Sequence, residues 1–269
     1  MAFPSTRVVP VDKQFQFVER LKTWSGRALI ATTILTPLIS ILDNQPPATI
    51  PGWEPLGKST LIAFNCLIIV AFAGLEFIAS VFLSNAERDR RLDFLDNAFG
   101  QRYSGQTSIG YFTNDNLQPG IYKCLVNCFE NCSHSLAIVD MMLPREIVKG
   151  VLVISVFVLT AIFGKRELIR QFFELPLAAV VVQDTLRLIL FRFRLAQNHE
   201  TIRFFFNDMR GKVFDDNRVA AAMRDILGYE TIISWAAIKL DSKLFSEHWD
   251  DLAQKWEQLK TQYDVRSID

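Results

Sequence analysis

The stretch STLIAFNCLIIVAFAGLEFIASVFLS, Ser59–Ser84, decides how the whole chain is read. Between Leu61 and Phe82 only Asn65 and Glu76 are strongly polar. A helix rises 1.5 Å per residue, so about twenty apolar residues cross the hydrocarbon core of a bilayer. This stretch is long enough, and it implies that neighbouring apolar blocks are membrane helices too.

Three such blocks flank it. Ala28–Leu42 contains Pro37, is only about fifteen residues long, and is bracketed by Trp24 and Trp53, where interfacial aromatics belong. Ile147–Gly164 is free of charge from Val151 to Phe163, with Lys149, Lys165 and Arg166 near its ends; long basic side chains can snorkel from there to the interface. Phe172–Phe191 is apolar but carries Glu174, Pro176, Gln183, Asp184 and Arg187. A charge at the bilayer centre costs about 2.5–3.5 kcal/mol. Asp184 and Arg187 are three apart, so they can pair on one helix face and reduce that cost. The expected fold is therefore mainly α: a polytopic membrane helical bundle of about four spans with a helical cytoplasmic domain. Its parts are a cytoplasmic segment at 1–27, a first transmembrane hairpin at 28–84, a cytoplasmic insertion at 85–146, a second hairpin at 147–191 and a cytoplasmic C-terminal region at 192–269.

Basic residues orient it. Five lie before the first block, one (Lys58) in the proline-rich loop 43–58, and six between residues 85 and 146. The positive-inside rule then places both termini and the 85–146 region in the cytoplasm. The short 165–170 loop, with Lys165, Arg166 and Arg170, runs against the rule. The N-terminal stretch carries its basic residues ahead of a late apolar run and is read as retained rather than as a cleaved signal.

Over 269 residues, 29 basic and 29 acidic groups cancel, which argues against nucleic acid as a partner. The lipid bilayer is the expected partner. The cysteines are Cys66, Cys124, Cys128 and Cys132. The last three recur every four residues on a helix expected from Ile121 to Leu143, so they share a face; C-x₃-C-x₃-C is not zinc spacing, and His134 points elsewhere. No metal and no cofactor are expected. His134, His199 and His248 sit in separate segments with no catalytic signature around them, so the chain is read as non-enzymatic.

Candidate functional residues are of three kinds. Glu76, Glu174, Asp184 and Arg187 are ionisable groups within apolar blocks and are functional candidates on that ground; Glu76 is expected either to pair with Arg187 or to stay protonated. The helix of Ser59–Ser84 should continue through Asn97, and Arg88, Asp89, Arg91, Asp93 and Asp96 make a coupling segment whose mixed charges suggest a solvated face. Near the C-terminus Trp249, Leu252, Trp256, Leu259 and Tyr263 step by three and four along a helix expected from Ser246 to Tyr263; this seam packs on the chain's own helices or serves self-association. Gly100, Gly105 and Gly110 mark loop chemistry over 99–120, without the ending of a phosphate loop. A helix capped by Asp216 or Asn217 should end before Gly228, with another over Glu230–Leu240.

The layout resembles the bacterial four-transmembrane effectors associated with nucleotide-second-messenger anti-phage defence. The most similar stretches are Arg90-Arg91-Leu92-Asp93-Phe94-Leu95-Asp96-Asn97 and Gly110-Tyr111-Phe112-Thr113-Asn114-Asp115. The resemblance implies a cytoplasmic sensor, a cyclic-nucleotide or protein trigger, self-association, and permeabilisation of the membrane. The competing expectations are a small transporter or channel, and a membrane anchor that recruits a soluble partner.

Overall fold

The computed structural model describes residues 9–43, 54–105, 108–163 and 168–265, leaving out the side chains of 40, 41, 43, 54–56, 157, 160, 161, 163 and 168–179. Trp53, most of residues 43–58, Lys165, Arg166 and the side chains of Arg170 and Glu174 therefore lie outside the described residues. The described residues form seven helices and no strand: α1 (Asp12–Asp43), α2 (Glu54–Phe99), α3 (Ile121–Phe163), α4 (Leu168–Met209), α5 (Asp216–Ala236), α6 (Ser242–Glu247) and α7 (Trp249–Gln262). The protein is mainly α.

Two compact units divide the chain. The first takes residues up to Phe15, Leu83–Leu143 and everything from Leu188; the second takes Gln16–Phe82 and Pro144–Arg187.

The second unit contains the long apolar parts of four helices. α1 starts at Asp12, well before the apolar block at 28, and residues 16–27 belong to the second unit. The reason is periodicity: Val18, Ser25, Leu29, Thr32, Thr36 and Ile39 are all buried, at steps of three, four and seven. The apolar side chains of this unit mostly face outward. Phe64, Leu67, Val70 and Phe77 on α2 are each at least half exposed, as are Val148, Val151, Leu152 and Ile162 on α3. One helix among the described residues is long and apolar enough to cross a membrane; the span reads Gly57–Phe99, its most apolar window has a mean hydropathy of 2.5, and only 17% of that window is buried.

The first unit has an ordinary inside. Phe129 stands at its centre, stacked on Phe206 at 5.3 Å and met edge-on by Trp256 at 5.4 Å and Tyr263 at 6.1 Å. Around it Leu125, Leu195 and Ile202 are fully buried. α3 does not stop at Leu143 as expected but passes through Pro144. α5 is capped by Asp215, whose side chain accepts from the Arg218 amide, one residue ahead of the expected caps. It also runs through Gly228 to Ala236 instead of breaking there, because Gly228 is the point of contact with α4: a Cβ at 228 would stand 2.7 Å from Asn198 Oδ1. The expected C-terminal helix is divided in two at His248, with Asp241 capping α6 through bonds to the Lys243 and Leu244 amides.

Candidate functional site

Inside the second unit the polar residues face one another. On α1, Lys22 and Ser25 lie one turn apart and both donate to the Glu76 carboxylate of α2. Glu76 therefore takes its partners from the N-terminal stretch, not from Arg187. Lys22, Glu76, Arg187 and Lys149 are all within electrostatic reach of Asp184. The expected Asp184–Arg187 pair forms along α4 at 3.9 Å. Further along α1 and α2, Thr32 Oγ1 donates to Asn65 Oδ1 at 2.7 Å, and the Asn65 amide donates to Thr36 Oγ1 at 3.4 Å. Of the four ionisable groups singled out in the apolar blocks, the structure brings Glu76, Asp184 and Arg187 together; Glu174 lies outside the described residues.

Lys22, Ser25, Thr32 and Thr36 complete this site, and sequence reasoning missed them. Their steps of three, seven and four put them on one helix face, a signal legible in the sequence once α1 is taken to begin near Asp12.

α3 and α4 approach closely beside the polar cluster. A Cβ on Gly150 would meet Thr185 Oγ1 at 2.7 Å, so glycine is what lets the two backbones come this near.

In the first unit the coupling segment is only in part a solvated face. Asp93 and Asp96 are buried. Asp96 accepts from the Tyr103 and Ser104 amides at 2.6 and 2.7 Å and from the Ser104 hydroxyl at 2.7 Å. Burial works against its charge, yet these donors outweigh it and hold the carboxyl below its ordinary range. Asp93 accepts from the Ser108 amide at 2.8 Å. Both aspartates thus anchor the glycine-marked loop, where Gly100, Gly105 and Gly110 all adopt positive φ. Arg90, on the same helix, bridges Glu87 and Glu230; burial opposes its charge, but the two carboxylates raise its pKa well above the ordinary value. Arg91 joins Glu230 and Ser234 on α5, while Arg88 and Asp89 form the exposed pair of the segment.

A buried polar chain lies between that loop and α3. Glu130 accepts from Thr113 Oγ1 at 3.1 Å and Asn114 Nδ2 at 2.7 Å; Thr113 also accepts from Trp256 Nε1 at 3.1 Å. Asn114 donates to Asn127, which donates to Asn97. Burial pushes the Glu130 carboxyl up to about 7 in spite of these donors. Sequence reading missed Glu130; its trace is the polar row Lys123, Asn127, Glu130 and His134, at steps of four, three and four along α3. A shallow groove of about 330 Å³ opens nearby, walled by Asn114, Asn116 and Leu117 and by Glu257, Lys260 and Thr261 of α7.

The C-terminal seam is used internally. Trp249, Leu252, Trp256 and Tyr263 are buried and Leu259 packs against the same core. A second copy would find these side chains already covered. The cysteines on α3 are free and buried; burial raises the Cys124 thiol to about 12 and Cys128 well above its ordinary value. Among the described residues no group of three or more His, Cys, Asp or Glu could hold a metal ion.

Comparison with protein families, with curated proteins and with solved structures finds no match to this chain.

Proposed function

We propose that this chain is a polytopic membrane protein of about four spans, in the bacterial inner membrane, that permeabilises the membrane when its cytoplasmic part receives a signal. The observation that carries the reading is the polarity of the second unit. Its apolar side chains mostly face outward, Ser25, Thr32, Thr36 and Asn65 are buried, and the part-buried Glu76 takes its partners Lys22 and Ser25 from within the unit. In water that arrangement exposes apolar area with no compensation. In lipid it is the favourable one, because an intramembrane polar group must find its partner inside the bundle. A polar interior bounded by lipid-facing helices is also what a conducting protein requires.

α2 runs unbroken from Glu54 to Phe99, so it carries both Glu76 and the loop anchors Asp93 and Asp96. A ligand can shift such a protein only by binding one of its states better than the other. In the first unit, the groove beside Asn114 and Lys260 is where this reading places the signal.

Induced expression of the full chain in bacteria, followed with a voltage-sensitive dye, tests the proposal beside Glu76→Ala and Asp184→Ala. We expect wild type to depolarise the cells, alone or with a co-expressed nucleotide-second-messenger synthase, and the two variants to lose the effect. Wild type that is inserted in the membrane yet leaves potential and growth unchanged in both settings refutes it. Transport or anchoring would then be the reading to pursue.

A further inference from the structure

One apolar layer divides the two polar groups of the second unit. Leu29 of α1, Phe72 of α2, Val153 of α3 and Val181 of α4 are each buried and pack together, one side chain from each of the four long helices. Their places along the helices are consistent. On α1, Leu29 lies four residues from Ser25 and three from Thr32; on α2, Phe72 lies four from Glu76 and seven from Asn65. The Ser25–Glu76 bond is therefore on one side of the layer and the Thr32–Asn65 bond on the other. On α4, Val181 lies three residues before Asp184, which is in electrostatic reach of Lys22 and Glu76, so the charged cluster is on the same side for all these helices. Ser25 and Thr32 are about 10 Å apart along α1 at 1.5 Å per residue. Only this layer interrupts the run of polar groups between them.

The layer is not needed to keep the unit in lipid, since its outward faces already supply apolar surface. What it does is exclude water from the bundle axis. A constriction of apolar side chains a single residue deep blocks ions by dewetting and opens with a small widening or an added polar group. We propose that Leu29, Phe72, Val153 and Val181 are a hydrophobic gate on a path for water and small monovalent inorganic ions, with Thr32, Thr36 and Asn65 lining one approach and Lys22, Glu76 and Asp184 the other. Hydroxyl and amide groups face one side, and on the other the carboxylates of Glu76, Asp184 and Glu146 are matched by Lys22, Arg187 and Lys149. Among the described residues neither approach carries an excess of one sign, so the path takes K⁺ and Cl⁻ alike and excludes larger solutes by size.

This inference rests on the membrane reading above, and its test separates the two. Full-length protein is reconstituted into vesicles holding K⁺, Cl⁻ and a large polar dye. Val153→Thr with Val181→Thr keeps the volume of the layer and adds hydroxyls; Leu29→Ser gives the same perturbation from another helix. Val70→Thr, at an outward position on α2, is the control. Each gate variant should raise resting K⁺ and Cl⁻ flux about ten-fold or more, the scale set by the apolar transfer energy removed, while the control matches wild type and the dye stays inside. Helical, carbonate-resistant gate variants that stay as tight as wild type overturn the gate and leave the membrane reading standing. Equal leakage from Val70→Thr, or release of the dye, also overturns it. Wild type that does not insert at all overturns both.

Discussion

Replacing Glu130 with glutamine should stabilise the first unit at neutral and alkaline pH, and the gain should vanish in acid. The unfolded chain loses this proton near 4.5, while burial holds it in the folded chain to about 7. Between those values the folded state binds more protons, so stability falls as pH rises through the window and levels off above it. The interval corresponds to about 3 kcal/mol at 1.36 kcal/mol per pH unit. Glutamine abolishes the titration and retains the shape. Its carbonyl can accept from Asn114, and its amide can donate to Thr113, whose oxygen already accepts from Trp256. At pH 8 the variant should melt about 6–12 °C above wild type, taking 2–4 °C per kcal/mol for a domain of this size. The difference should disappear near pH 4.5. His199 titrates in the opposite sense, since burial lowers it to about 4 and its contribution is lost as pH falls below 6.5; it is common to both proteins and cancels in the comparison. Tryptophan fluorescence of the detergent-solubilised full chain is the assay, because Trp256 is hydrogen-bonded into the Glu130 network. Parallel melting curves from pH 5 to pH 8 would refute the reasoning.

Other perturbations follow from the same geometry. Asp96→Ala removes the acceptor for two amides and a hydroxyl of the loop; each donor left unsatisfied costs about 1–3 kcal/mol, and hydrogen exchange at Tyr103 and Ser104 should accelerate. Gly150→Ala should destabilise the α3–α4 contact by about 1–3 kcal/mol, since its Cβ meets Thr185 at 2.7 Å; unchanged thermal stability in detergent would count against that close approach. Trp256→Ala should cost about 3–5 kcal/mol, whereas Trp256→Phe loses chiefly the Thr113 hydrogen bond, about 1 kcal/mol, a ratio measurable by denaturant titration. In the folded protein a polar thiol reagent should leave Cys124, Cys128 and Cys132 unmodified, because they are buried and their thiols stay protonated; labelling that matches the denatured chain would be the contrary result.

Local pattern was enough for some of this. The stretch from Ser59 to Ser84 reads as a long apolar helix because it holds no proline and only two strongly polar residues, Asn65 and Glu76, in its core, and the structure extends that helix to Phe99. The i,i+3 placement of Asp184 and Arg187 predicts their pairing, because helix geometry alone brings such residues together. The three cysteines of α3 fall on one buried face for the same reason. Where the reading differed, the deciding contact came from far along the chain. Asp93 and Asp96 look like members of a solvated charged face, but they turn inward because the loop amides of Tyr103, Ser104 and Ser108 need acceptors. Gly228 looks like a helix end, but α4 approaches there and α5 continues.

What the sequence by itself determined, then, is helical character, the position of the apolar stretches and the pairs within one turn, all of which depend on neighbours in the chain. What only the tertiary structure decided is which polar group meets which. Glu76 finds Lys22 and Ser25 more than fifty residues away, Glu130 finds Thr113 and Asn114 across a loop, and Leu29, Phe72, Val153 and Val181 meet from four helices. A buried polar group is stable only with a partner, and a dry layer only when every helix around it contributes; such conditions are set by the packing of distant segments, and no periodicity within one segment records them.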